Sequence, residues 1–414
     1  MEKLTFNKEK IGWMFYDFAN QSFVTVIVTV LFSMYFKDVI VGQEELGTAL
    51  WGRAISISLF LVVLIAPLIG TMADFSNSRK LLLMIVTYTS IIFTVLLYFV
   101  KPGAVAMTMI IFIIAKFCYT IGTVFYNSFL PDIVEKHEIG RFSGLSWGIG
   151  YLGGLFSLLV VMPIIKLRLS DYLNYRYSFV VVAFIFTVFS IPTFVWLKER
   201  NRQKFERVNY LVVGLKRLLN TAKNIKCYKE LTKFLFSYFL FNNGIFVVIS
   251  YASIYGSTQF DMTAMDMITY FIIAQPSSFL GATIFGYIFD KIGAKKSIII
   301  TLILWILVII GAYFCINKYQ FYVVGIGAGF ALGSSQSCSR TFLALLTPSQ
   351  KTAEFFGFYS VVGSFATILG LLFYGEISRI TGDQKNAILS ILLFFALGFI
   401  MMLFVDDKLH ISNT

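Results

Sequence analysis

Apolar runs of roughly twenty residues recur along the whole chain, each long enough to cross ~30 Å of hydrocarbon as a single helix. They cover 11–36, 48–72, 80–100, 104–131, 141–165, 177–197, 233–256, 266–289, 297–316, 319–346, 353–376 and 386–405. A backbone in lipid must satisfy its hydrogen bonds within its own segment, so such runs leave few folds open. Composition agrees with this reading. Apolar residues make up 58% of the chain and charged residues 14%, whereas a soluble domain uses about 25% charged residues to cover its surface. The 45 Phe and 22 Tyr suit lipid-facing helices with aromatic belts at the interfaces. Strand-period alternation broken by regular turn signals is absent, which argues against a β-barrel. The expected fold is an all-α polytopic membrane protein with twelve transmembrane helices.

The spans divide six and six around a basic segment. From Lys198 to Lys233 there are eleven Lys/Arg against three Glu, most of the formal net charge of +12. Charge placed between two membrane halves reads as a cytoplasmic loop that touches anionic lipid, and not as a nucleic-acid surface. Both termini then lie in the cytoplasm, where most of the Lys and Arg also fall, as expected for an inner membrane protein. The domain division is 1–197, a linker at 198–232, and 233–414. In the linker, Val208, Leu211, Val212, Leu215, Leu218, Leu219, Ala222 and Ile225 share one helical stripe. That pattern predicts an amphipathic helix along the membrane surface.

Several function classes fit poorly. Cys118, Cys227, Cys315 and Cys338 show no metal or redox spacing, and no disulfide is expected. His137 and His410 are the only histidines, both outside the spans. No Ser/His/Asp set, metal cluster or phosphate-binding glycine loop appears, so neither an enzyme nor a cofactor is expected. The N-terminus lacks a cleavable signal pattern, and the first helix is expected to be retained.

Matching short loops mark an internal repeat. After the second span the chain reads Gly70-TMA-Asp74-FSNS-Arg79-Lys80, and after the eighth Gly286-YIF-Asp290-Lys291-I-Gly293-A-Lys295-Lys296. The Gly and Asp positions differ by 216, Pro131 and Pro348 by 217, and Asn20 and Asn243 by 223. Near-constant offsets imply parallel repeats of six helices. Small Gly lets neighbouring helices approach. An Asp at a helix end can pair with a cation or with free amides opening a facing helix. Arg141 and Glu354 open the fifth and eleventh helices, so Asp290 is expected to meet Arg141, and Asp74 the start of the eleventh helix.

The second loop resembles the major facilitator loop motif at every prescribed position, while Phe75 breaks the first copy. The stretch Ile11-Gly12-Trp13-Met14-Phe15-Tyr16-Asp17-Phe18-Ala19-Asn20-Gln21-Ser22-Phe23 resembles the opening of one branch, the autophagy-related vacuolar effluxer-like family. So do Asn127 to Asp132 with Arg141 to Gly144, and Gln336 to Arg340 with Glu354 to Tyr359. The resemblance implies two pseudo-symmetric six-helix bundles working as a monomer. It also implies gradient-driven, proton-linked movement of a small polar solute such as an amino acid. The alternatives are an exporter of amphipathic drugs or lipids, and a non-transporting membrane sensor.

Charge near the bilayer centre costs roughly 2.5–3.5 kcal/mol, so each such residue needs a reason. Asp17 shares a helical face with Trp13 and Asn20 and is a candidate proton site or amine partner, or an interfacial carboxylate pairing with a neighbouring helix. Lys116, mid-span, is a candidate counter-ion or carboxylate anchor. Arg340 suits a substrate carboxylate or a gate ion pair with Asp17. Arg53 reads as interfacial. Asn20, Gln21, Asn127, Asn242, Asn243 and Gln336 are candidates for a cavity lining, or for interhelical hydrogen bonds that stitch the helices together. The resemblance places the first, fourth, seventh and tenth helices, which carry them, around that cavity.

Overall fold

The computed structural model describes residues 6–76, 78–167, 172–200 and 228–406, so the amphipathic stripe of the linker lies outside the described residues. The described residues are nearly all helical. The helices are α1 Lys8–Val41, α2 Glu44–Ser76, α3 Arg79–Leu96, α4 Val105–Ser128, α5 Ile139–Lys166 and α6 Leu173–Trp196. The second half holds α7 Lys229–Phe260, α8 Ala264–Ile292, α9 Ala294–Phe314, α10 Lys318–Leu346, α11 Thr352–Thr381 and α12 Gln384–Leu403.

Local chemistry sets several boundaries. The Asn7 side chain accepts from the Lys10 amide at 2.8 Å and opens α1. Thr263 and Asp266 form a reciprocal cap on α8, which satisfies two amides that the first turn leaves open. Gly42, at φ +70°, stops α1 in a left-handed conformation that favours glycine. Pro67, Pro163, Pro192 and Pro276 all sit inside helices, which neighbouring helices tolerate in a membrane bundle.

Two elements depart from the expected pattern. The first helix runs to Val41 and widens to π-helical turns at Phe23–Val30 and Phe36–Val41. In the first of these the Leu31 amide reaches back five residues to the Val26 carbonyl. The other departure is α10. Among the described residues, eleven helices are long and apolar enough to cross a membrane by length and composition alone, and α10 is not among them. Its 29 residues suffice for length, but Ser334, Ser335, Gln336, Ser337, Ser339 and Arg340 dilute its second half. All of these except Gln336 are buried, so other helices and not lipid receive those polar groups.

Packing follows the repeat. The first helix packs on α5 and α6, as α7 packs on α11 and α12. In the same way α2 and α3 pack on α4, while α8 and α9 pack on α10. The two six-helix halves meet along α5–α8 and α2–α11. Glycines allow both kinds of seam. A Cβ on Gly144 would fall 2.3 Å from the Ala282 carbonyl oxygen, and on Gly70 2.4 Å from that of Ala353, both between halves. Within the second half, a Cβ on Gly333 would fall 2.0 Å from the Ser278 carbonyl oxygen.

These distances predict that Gly333→Ala lowers the thermal unfolding midpoint of the detergent-purified protein, at an overpacking cost of about 1–3 kcal/mol. Gly52→Ala, with no atom within 4 Å of the new Cβ, is the control and leaves the midpoint unchanged or slightly raised.

Candidate functional site

Asp17 on α1 and Arg340 on α10 meet across the two halves. Arg340 Nη1 donates to Asp17 Oδ2 at 2.9 Å, and the two residues are 1% and 4% exposed. The α5 helix completes the site. Arg340 Nε donates to Ser143 Oγ at 3.0 Å and Nη2 to the Ser143 carbonyl at 2.7 Å, while Ser146 Oγ donates to Asp17 Oδ2 at 2.6 Å. The guanidinium lies between two indoles, 4.9 Å from the Trp13 ring and 5.0 Å from the Trp147 ring. Such faces attract a cation. Trp13 is fixed in turn by Tyr126 of α4. Their rings stack at 4.3 Å, Trp13 Nε1 donates to the Tyr126 carbonyl at 3.0 Å, and the Tyr126 hydroxyl donates to the Trp13 carbonyl at 3.0 Å.

Helix starts supply the next contacts between the halves. Asp290, at the end of α8, accepts from the Gly140 and Arg141 amides and from Arg141 Nε, each at 2.9 Å. Asp74, at the end of α2, accepts from the Ala353 amide at 3.2 Å and the Glu354 amide at 3.0 Å. Each carboxylate therefore satisfies amides that a helix start leaves open, where the helix dipole favours negative charge. Arg79, 1% exposed, donates to Asp132 at 2.6 Å, Glu199 at 3.2 Å and the Ser128 carbonyl at 3.0 Å, and reaches Thr352 of the second half at 3.2 Å. The Lys80 amide donates to Glu199 at 2.7 Å. Lys10 pairs with Glu138 in the same buried layer.

This face also carries the start of α1 and the residues that follow α6 and α12. Glu9 accepts from the Lys198 amide at 3.2 Å and Glu230 from the Asp406 amide at 2.5 Å. On the opposite face, the pairs Lys37–Asp38 and Lys318–Asp266 each stay within one half.

The remaining expected residues fall elsewhere. Lys116 on α4 holds its ammonium 5.0 Å from the Tyr119 ring centroid, with no carboxylate in ion-pair range among the described residues. Thr120, Thr123 and Asn127 share its helical face by spacing. Gln336 donates weakly to Asn242 Oδ1 at 3.4 Å, joining α7 to α10. Asn243 donates to the Phe239 carbonyl at 2.8 Å, and its Oδ1 faces Gly370 of α11, which makes it a packing residue. Asn20 and Gln21 are buried on α1, and Gln21 packs over Gly150 of α5. Asn127 Oδ1, Trp147 Nε1 and Asn242 Nδ2 are buried without a protein partner, an arrangement that buried polar atoms rarely adopt. Gly286 lies against Gly140 and Gly144, and Gly293 turns between α8 and α9 at φ +92°. Lys291 and Lys296 are exposed, whereas Lys295 donates to the Leu403 carbonyl at 2.6 Å. Glu354 is buried in the first turn of α11, and Arg53 is exposed on α2.

Sequence reasoning missed Ser143, Ser146 and Trp147. Only their spacing behind Arg141 on a helix facing the other half could have marked them. Arg79, a basic residue of the gate and loop motif by sequence, is a buried hub.

Comparison with known proteins agrees with this architecture. Residues 47–411 match the family described as vacuole effluxer Atg22 like. An uncharacterized MFS-type transporter of Bacillus subtilis, YxiO, is 25% identical over 415 residues, covering 97% of this chain and 96% of that protein. Autophagy-related protein 22 of Kluyveromyces lactis is 25% identical over 347 residues, covering 73% of this chain and 70% of that protein. Among solved structures, the proton:xylose symporter XylE superposes with a TM-score of 0.72 at 15% identity, over 97% of this chain and 95% of that one. The transporter FucP in its outward conformation gives 0.72 at 13% identity, over 96% and 98%. The fold is that of the major facilitator superfamily.

Breaking a buried ion pair by removing one partner costs about 3–5 kcal/mol, more than removing both. A double-mutant cycle should therefore be strongly non-additive. Asp17→Asn and Arg340→Ala each lower the unfolding midpoint, and the double variant loses clearly less than the sum. Additive losses would mean that the two side chains do not support each other.

Proposed function

This chain belongs to the vacuole effluxer Atg22-like family, and on that premise we propose that it is a secondary active transporter moving a small polar solute, amino acids foremost, by proton-linked alternating access. The observation that carries the reading is the Asp17–Arg340 pair, which joins the two halves on one face, whereas the described ion pairs on the other face each stay within one half. To open that face, Arg340 must leave a carboxylate buried among α1 and α5. An isolated buried carboxylate is costly, and a proton on Asp17 removes that cost. Opening therefore needs Asp17 neutralised, by a proton or by a cation in place of Arg340, and that shared carboxylate links solute passage to a proton gradient. XylE, of the same fold, is named as a proton symporter.

The solute site lies behind this pair. Gln21, Lys116, Asn127, Asn242 and Gln336 come from α1, α4, α7 and α10, two helices of each half. Amides serve both the ammonium and the carboxylate of a zwitterion, and Lys116 supplies a positive charge for the latter. The unpartnered atoms of Asn127 and Asn242 gain hydrogen bonds when such a solute arrives. The halves are 1–197 and 233–414, joined by the basic linker 198–232. The face with the termini and loop motifs is cytoplasmic by the positive-inside rule, in a bacterial inner membrane, with the linker against anionic lipid and the protein a monomer.

Reconstituted liposomes test this reading. Wild-type protein should exchange labelled amino acid in counterflow and accumulate it when a pH gradient is imposed. Asp17→Asn should lose the accumulation. Accumulation by Asp17→Asn against a gradient would remove Asp17 as the proton site. No counterflow of any amino acid in a full panel would remove the proposed cargo.

A further inference from the structure

The surroundings of Arg340 make up a complete receptor for an organic cation. Asp17 supplies the charge, Ser143 supplies two further oxygens, and the Trp13 and Trp147 faces supply the walls. All four residues belong to α1 or α5 of the first half, whereas the cation that fills the receptor belongs to α10 of the second.

We propose that this receptor is a binding site for a solute carrying a primary ammonium or guanidinium group, and that the solute and Arg340 occupy it in turn. The inference rests on the transporter reading only in assuming that the two halves part on this face. When they part, Arg340 leaves with α10 and the receptor stays whole. Tyr126 holds Trp13 from α4, and Ser146 holds Asp17 from α5. The α1–α5 seam is too close to shift freely, since a Cβ on Gly153 would fall 2.2 Å from the Phe18 carbonyl oxygen. What remains is a carboxylate beside two indole faces, with Ser143 acceptors aimed at the space between them. Such a set selects a cation with N–H donors over a metal ion, which would lack ligands, and over an anion, which the carboxylate repels.

A second observation points to a ligand. Trp147 Nε1 is buried with no protein acceptor, although its ring forms one wall of the receptor. Of the two walls, Trp13 has its indole N–H satisfied by Tyr126. The free donor on Trp147 is placed for an acceptor carried by the same solute, close to the cationic group. A carboxylate beside an amine has that form, so the receptor suits α-amino acids better than simple amines.

Removing the Arg340 side chain should open the receptor without disturbing its walls. Methylguanidinium and methylammonium titrated onto purified Arg340→Ala protein in detergent should give a saturable change in tryptophan fluorescence and a raised unfolding midpoint. Wild-type protein, whose receptor is filled, should respond at least tenfold more weakly, as should Asp17→Asn/Arg340→Ala. Glycine should bind Arg340→Ala more tightly than methylammonium does. Arg340→Ser empties the same space and gives the same readout if the alanine variant does not fold. If neither variant folds, methylguanidinium should raise labelling of a cysteine introduced at Ser143 in wild-type protein, and no increase would count against the site. A folded variant with no saturable response, or a response that Asp17→Asn leaves unchanged, overturns the proposal. Binding is read without a gradient, so this result is independent of the liposome assay. A transporter without this receptor passes that assay and fails here.

Discussion

A carboxylate and a guanidinium buried together between two helix bundles behave differently from a surface ion pair. Desolvation cancels much of their attraction, so the intact pair adds little net stability, yet losing one partner is expensive. That asymmetry suits a switch. Asp17 and Arg340 hold the halves together while both are charged and in place. Any event that neutralises or substitutes one partner makes separation easy. The serines and indoles around the pair raise the stakes, because every donor of the guanidinium that they satisfy must be satisfied again elsewhere once it moves.

The closed face combines symmetric and asymmetric parts. Asp74 and Asp290 occupy equivalent positions in the two repeats and cap equivalent helices of the opposite half. The Asp17–Arg340 pair has no such double. The offsets that relate the repeats set Leu240 opposite Asp17 and Thr123 opposite Arg340. One half therefore keeps the anion and its aromatic walls, and the other keeps the cation. The symmetric caps can close and open the face mechanically, whereas the asymmetric pair can tell one ligand from another. Glycines at the seams, Gly70 and Gly144 among them, let the carboxylates reach amides of the facing helix.

Much of this was legible in the sequence for physical reasons. Twenty-residue apolar runs can do little except span a membrane, and the paired loops located both capping carboxylates and the helix starts they meet. The expected meetings of Asp290 with Arg141 and of Asp74 with the start of α11 appear in the structure as hydrogen bonds. Other features were hidden because their signal is shared with ordinary packing. Ser143 and Ser146 look like any small residues on a glycine-rich helix. Arg79 reads as one more loop charge until Asp132 and Glu199 are folded over it. Helix α10 is too polar by composition because its polar half faces protein. The π-helical turns of α1 have no residue signature, as Val, Ile and Thr fill ordinary helical spans elsewhere in the chain. Lys116 was recognised as a mid-span charge, but only the structure separates it from every described carboxylate.

The buried pair and its two flanking caps hold one face of the transporter closed. Spin labels at Lys136 and Lys296, exposed on that face in opposite halves, report the separation directly by pulsed electron resonance in a cysteine-free background. One short distance is expected for the otherwise wild-type protein, and a second, longer population of at least comparable size when Arg340→Ala is combined with Asp290→Asn. An unchanged distance distribution in that variant would contradict that role of the pair and caps.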